Sequence, residues 1–381
     1  MKQRILGAIF LIGGTTIGAG MLALPMTSSH FGFYKSVALL FGMWLYMLLA
    51  AVIMVEISHG KGQSIAALSE NRLGKPAKFV AASSMLVLFW SLLWCYISGG
   101  SSILHQEIGG AVPVPVLVIA FTLCLGVFVA ICTRAVDYAN RFVLFFKIAI
   151  FAVIVAGLLP FIQTENLAKT TVNSGFSFYY AIPIYFTSFA FHGSIPSLIS
   201  YLDGSKKNIY KSLIIGSLLP LIVFSLWQLI TLGNLGGTLT GTEDVGVFIT
   251  RLTEKTGNPY LTFLTNAFAL TGMASSFLGV ALGLFDYIAE WFKKKNDVKT
   301  RLKVASLTFG LPLILALIYP KGFIAALGCA AVALSLLAVV LPCLIALKEE
   351  RPSSFIFNKG LVLVILLGGI AVIAIEVVLK S

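Results

Sequence analysis

The chain has 381 residues, of which 58% are hydrophobic and only 11% charged, with a mean hydropathy of +0.97. Soluble globular chains are about a quarter charged, so there are too few charges here to cover a water-facing surface, and disorder needs low hydrophobicity and high charge density. The net charge of +12 does not point to nucleic acid, because the Lys and Arg lie between apolar runs rather than on one soluble face.

A membrane-spanning helix takes about 20 apolar residues. Eleven segments qualify: 5–28, 35–58, 78–100, 113–133, 140–162, 178–201, 213–233, 260–291, 304–319, 323–347 and 361–379. The expected fold is therefore all-α, with eleven transmembrane helices and no separate extramembrane domain. Lys2 and Arg4 before the first run imitate a signal peptide, but the apolar pattern resumes at once and recurs to the end. Alternating the loops puts 21 of the 27 Lys and Arg on the side of the N-terminus and 6 on the other. The positive-inside rule then predicts a cytoplasmic N-terminus and an outer C-terminus. In the longest outer loop, the run beginning at Asp244 predicts a short helix lying on the membrane or over a vestibule. The five cysteines fall within apolar runs without a CxxC pair, so they read as packing residues.

Two spans carry helix-breaking chemistry at mid-depth. Span 1 contains Gly13, Gly14, Thr15, Thr16, Ile17, Gly18, Ala19 and Gly20; each glycine costs about 1 kcal/mol relative to alanine within a helix. Span 6 contains Phe189, Ala190, Phe191, His192, Gly193 and Ser194, followed by Pro196, which lacks a backbone donor. Unwound backbone is tolerated at that depth only when buried in protein or lining a cavity. The breaks lie five spans apart. That spacing predicts two five-helix inverted repeats, about 1–165 and 175–347, with the helix at 361–379 as an addition, in one transporter domain over 1–381. Free amides at a half-helix N-terminus suit a carboxylate, and free carbonyls at a C-terminus suit an ammonium. Together they predict a socket for an amino acid, its carboxylate on the amides after Thr16 and its ammonium on the carbonyls of Phe189, Ala190 and Phe191. The competing reading is that the glycines serve close helix packing.

Further candidates lie on other spans. Lys147 is about 10 Å along span 5; it either snorkels to the interface or supplies an internal ammonium in the place of a coupling cation. Ser275 and Ser276, in span 8, offer hydroxyls to a cation or to Lys147, or bond within their own helix. His192 either touches substrate and carries a proton or holds the unwound segment. Trp90 and Trp94, spaced i, i+4 on span 3 with Tyr96 nearby, either face a substrate cavity or pack. Glu56, Asp286, Glu290 and Glu376 read as interface charges, the inner three with a gating role as the alternative. The sequence has no HExxH zinc motif and no Walker loop, so neither a metal nor ATP-driven pumping is expected.

The stretches 14–25, 187–197 and 277–286 resemble the first-, sixth- and eighth-helix motifs of the hydroxy/aromatic amino acid permeases. With the eleven-span layout, the resemblance covers essentially the whole chain. It implies a LeuT-type fold in the inner (cytoplasmic) membrane and import driven by the proton gradient. No cofactor, nucleic acid or obligate protein partner is implied beyond the amino acid substrate and the bilayer. It also implies substrate contacts at the two breaks and strengthens the coupling role of Lys147. Ala190 departs from the glycine expected in the sixth-helix motif, a methyl group that narrows the cavity or shifts preference. Tyrosine is expected before tryptophan. The alternatives are a sodium-coupled symporter or an exchanger on the same fold and, from another class, a membrane-embedded enzyme or substrate-sensing receptor.

Overall fold

The structure, a computed structural model, describes residues 2–131, 147–170, 174–236, 244–254, 256–292, 297–349 and 358–378. The helices run in chain order as α1 (Lys2–Thr16), α2 (Ala19–Ser28), α3 (Gly32–Ile57), α4 (Ile65–Leu73), α5 (Lys75–Glu107) and α6 (Val114–Ile131). There follow α7 (Lys147–Phe161), α8 (Thr164–Ala168), α9 (Ser174–Ser188), α10 (Ile195–Tyr201), α11 (Lys206–Leu235) and α12 (Val245–Glu254). The last five are α13 (Pro259–Trp291), α14 (Val298–Ile318), α15 (Phe323–Ser335), α16 (Leu341–Lys348) and α17 (Lys359–Val378). A π-helical turn, Leu336–Val340, joins α15 to α16 in one continuous span. No strand occurs among the described residues.

Among the described residues, seven unbroken helices are long and apolar enough to cross a bilayer, and α1 with α2 forms an eighth span bent by 50°. The expected eleven are not all met by length. At spans 4 and 5 stand the shorter apolar helices Val114–Ala130 and Lys147–Phe161, and residues 140–146 of span 5 lie outside the described residues. At span 6 the chain divides into α9 and α10. The short amphipathic α4 was not foreseen; Ser64 caps it by accepting a bond from the Ala67 amide at 3.3 Å. The foreseen outer helix α12 is present. Asp244 Oδ1 accepts bonds from the Val247 amide at 3.0 Å and the Ser102 hydroxyl at 2.5 Å. These fix its start on α5 while Val245, Phe248, Ile249 and Leu252 are buried beneath it.

Hydrocarbon offers no hydrophobic drive for one helix to find another, so membrane helices associate by close packing and by polar bonds. Both are present. Where α1 crosses α11, a Cβ on Gly13 would stand 2.8 Å from Leu219, and one on Gly216 would stand 2.9 Å from Ile12. The polar bonds concentrate among spans 1, 2, 6 and 7. Tyr185 on α9 shares a 2.7 Å hydroxyl–hydroxyl bond with Ser36 on α3 and accepts one of 2.7 Å from Gln228 Nε2 on α11. Gln228 Oε1 in turn accepts from Ser28 on α2 at 3.1 Å. Trp44 Nε1 on α3 donates to Ser217 on α11 at 3.0 Å. At the opposite end, Glu56 is buried, accepting from Lys206 Nζ at 2.7 Å and from the Tyr210 hydroxyl. Glu56 is therefore not the interface charge expected, and Glu376 on α17 is likewise buried.

Candidate functional site

Both expected breaks are present. In span 1 the helix stops at Thr16 and restarts at Ala19, with Gly18 at φ −147°, ψ −142°. The Gly13 carbonyl still accepts from the Ile17 amide at 3.3 Å, and the Met21 amide donates to the Gly18 carbonyl at 3.1 Å; the bend interrupts the helical ladder for the carbonyls after Gly13 and for the amides of Ala19 and Gly20. The hydroxyls of Thr15 and Thr16 donate within their own helix: Thr15 Oγ1 to the Leu11 carbonyl at 2.8 Å, and Thr16 Oγ1 to the Ile12 carbonyl at 2.7 Å. They keep acceptor capacity only. Gly20 is a packing position: a Cβ there would come within 2.9 Å of Ser188 Cα, so the glycine lets α2 lie against the end of α9. Gly14 is half-buried in the last turn of α1.

In span 6 the helix ends at Ser188, turns through Phe189, Ala190 and Phe191, and resumes through a short 3-10 turn, His192–Ser194. The Phe189 carbonyl accepts from the Phe191 amide at 2.9 Å. The Phe191 carbonyl accepts from both the amide and the hydroxyl of Ser194, at 3.0 and 2.7 Å. The Ala190 carbonyl accepts no bond among the described residues. Of the three carbonyls expected to meet an ammonium, Ala190 is the one left open. Phe189 and Phe191 are fully buried, Phe189 edge-on to Phe224 and Phe191 stacked on the His192 ring at 4.9 Å. His192 is buried beside the Met47 backbone of α3, but neither ring nitrogen makes a well-formed hydrogen bond. Gly193 is exposed, with open space where a Cβ would stand.

Lys147 is not at the interface. Its ammonium donates to the Ser275 hydroxyl on α13, and its side chain lines a cleft with Ile17, Gly18, Ala19, Phe268 and Gly272. Ser276 stands 3.4 Å from where a Cβ on Gly18 would be, and the Tyr96 hydroxyl bonds to it. The structure thus gathers Gly18, Tyr96, Lys147, Ser275 and Ser276, from four spans, around the break in span 1. The cleft has a volume of about 20 Å³, room for one water. In this arrangement the hollow beside the span 1 break is much smaller than an amino acid.

Trp90 and Trp94 are not brought to the cleft. Trp90 donates its indole N–H to the Leu307 carbonyl on α14 at 3.1 Å. Trp94 packs on Tyr319, with ring centroids 6.4 Å apart, and against Gly322. Tyr96 follows Trp94 by two residues and so points about 200° away around the helix, which takes it to Ser276. Of the two readings of the i, i+4 tryptophans, a cavity face or a packing face, the structure favours packing against the neighbouring helix. Phe268 and Gly272 went unnoticed in the sequence, although they precede Ser276 by eight and four residues on one face of α13. Cys95, Cys124, Cys329 and Cys343 are in no disulfide, and Cys132 lies outside the described residues.

The comparisons agree with this architecture. Over 98% of both chains, the fold is similar to the crystal structure of MhsT in complex with L-phenylalanine, with a TM-score of 0.62 at 13% identity. It is also similar to Mhp1, a nucleobase-cation-symport-1 family transporter in a closed conformation with bromovinylhydantoin bound. There the TM-score is 0.57 at 12% identity, over 98% of this chain and 91% of that one. At such identities the likeness establishes the fold, which is of the LeuT type. In sequence the chain is 35% identical to the tyrosine-specific transport system 1 of Haemophilus influenzae, covering 96% of this chain and 95% of that protein. It is 34% identical to the tryptophan-specific transport protein of Pseudomonas aeruginosa, over 96% and 93% respectively. The profile of the tryptophan/tyrosine permease family matches residues 1–376. With relatives that are transport systems rather than enzymes and a match over nearly its whole length, the chain belongs to the tryptophan/tyrosine permease family.

Proposed function

We propose that the chain imports an aromatic amino acid, tyrosine before tryptophan, across the cytoplasmic membrane together with a proton. The single observation that carries this reading is Lys147: an intramembrane ammonium bonded to Ser275 in the cleft beside the span 1 break. A positive charge at that depth is costly unless it has partners, and it marks an ion pathway. Protonated Lys147 draws α13 and the carbonyl end of α1 together, as a bound cation would, and loss of the proton releases them. The substrate carboxylate takes the free amides at the start of α2, and its ammonium takes the Ala190 carbonyl. His192 then either bonds the substrate or steadies the turn. Spans 1, 2, 6 and 7 rock against the rest to open each side in turn. The N-terminus faces the cytoplasm, as the distribution of Lys and Arg favours.

The test is uptake of labelled tyrosine and tryptophan into proteoliposomes with imposed gradients. Accumulation driven by an inward proton gradient, without sodium, is the expected result. Accumulation that needs sodium, or counterflow alone, replaces proton symport with one of the two alternatives on this fold.

A further inference from the structure

Between α3, α9 and α17 the lipid-facing surface sinks into a groove of about 740 Å³. Along α3 it runs from Lys35 to Tyr46, which at 1.5 Å per residue is roughly 16 Å. That is about half of the ~30 Å hydrocarbon thickness, the depth of a single leaflet. Its lining includes the small residues Ala38, Gly42, Gly368 and Ala371, and a Cβ on Gly42 would meet nothing within 4 Å. At the deep end, the Tyr46 hydroxyl is already bonded to the Ile365 carbonyl at 2.7 Å, so no unmet polar group awaits a polar guest. At the shallow end, Tyr34 and Tyr179 are exposed by 66% and 53%, as aromatic side chains are at headgroup level. Phe178, next to Tyr179, packs on Phe31 at 5.3 Å, which keeps these two helix ends at one depth. Lys35 is exposed there and has no acidic partner among the described residues. Glu376, towards the same end of α17, is buried and engaged in an interaction of its own.

We propose that this groove is a binding site for an anionic phospholipid, with one acyl chain laid along Gly42 and the phosphate on the Lys35 ammonium. An apolar trough of leaflet depth with a lone cation at its mouth matches a charged headgroup above a chain. A helix from a second copy would span both leaflets and would leave the Lys35 charge unanswered. The site bridges α3 and α9, which belong to the bonded set of spans, to the terminal α17.

Native mass spectrometry of the full chain, titrated with phosphatidylglycerol or phosphatidylethanolamine of equal chain length, tests this. One phosphatidylglycerol adduct is expected to form more readily than the phosphatidylethanolamine one. Lys35→Gln should weaken it about fivefold, and Lys35→Arg should restore it. Gly42→Leu, whose Cβ meets nothing within 4 Å, should abolish it with the thermal midpoint unchanged. Equal binding of both lipids that neither Lys35→Gln nor Gly42→Leu alters overturns the proposal. So does a wild-type dimer that Gly42→Leu converts to monomer, which assigns the groove to a second copy.

Discussion

Lys147 and Ala190 are the two side chains on which the proposed chemistry turns, and they fail in different ways when changed. Replacing Lys147 by Gln, one atom shorter, keeps a hydrogen-bond donor but removes the charge. The variant should still bind tyrosine and exchange it across the membrane, yet lose at least tenfold of the accumulation driven by a proton gradient. Proteoliposome uptake set beside binding by scintillation proximity separates the two quantities, and a variant that still accumulates tyrosine returns Lys147 to a packing role. Ala190 supplies the open carbonyl of the span 6 turn and carries a half-buried methyl. Ala190→Gly keeps the carbonyl and adds room for about one methyl. A single methylene in an apolar pocket is worth ~1–3 kcal/mol of discrimination, so the tryptophan-to-tyrosine ratio of uptake should rise about tenfold. Competition uptake with both amino acids measures that ratio directly, and an unchanged ratio places the methyl outside the pocket.

At the scale of elements, the bonds among spans 1, 2, 6 and 7 join them in one set, as the proposed rocking requires. The chain Ser36–Tyr185–Gln228–Ser28 ties α3, α9, α11 and α2, and Glu56 ties α3 to α11 at the other end. Gln228 is fully buried, so Gln228→Ala removes one partner from the Tyr185 hydroxyl, which keeps Ser36, and one from Ser28, which keeps the Leu24 carbonyl. Each lost hydrogen bond costs about 0.5–1.5 kcal/mol, and thermal unfolding in detergent should show a lower midpoint than wild type. The breaks were legible in the sequence because glycine and proline act locally, through the backbone of their own helix. Lys147 was legible because a charge within an apolar run is conspicuous. The Tyr185–Gln228 network was not, because Ser, Tyr and Gln scattered over four spans acquire a common meaning only once the spans are packed. The role of the tryptophans stayed open for a related reason: spacing shows which residues share a face of a helix, but not what that face meets.

For the whole molecule, close contacts lie on both sides of the span 1 break. At one end α12 is pinned to α5 through Asp244 and Ser102. At the other, Gly60 and Gly204 bring two turns into contact, while Gly62 lies against Ser200 and the Pro196 carbonyl of α10. Beside that inner seal, one cluster crosses from the bonded set to the remainder. Glu349, after α16, accepts from His59 Nε2, after α3, at 3.0 Å and lies 3.7 Å from Arg72 of α4. Lys348 Nζ holds the Arg72 carbonyl at 2.8 Å. Arg4–Asp203, by contrast, is an exposed pair between α1 and the turn after α10, so it adds little to the seal and stays within the moving set. Opening the inner side must part His59 from Glu349. Glu349→Gln removes the charge that joins them, and should shift the population towards the inward-open form by about 1 kcal/mol, roughly fivefold. A cysteine introduced at Ala190 in a background without native cysteines reports on this, because an inward opening exposes it to a membrane-permeant thiol reagent. Labelling should be several-fold faster with Glu349→Gln than without it. If labelling is unchanged, the His59–Glu349 pair is a surface contact, and the inner seal rests on the packing of Gly62 against α10.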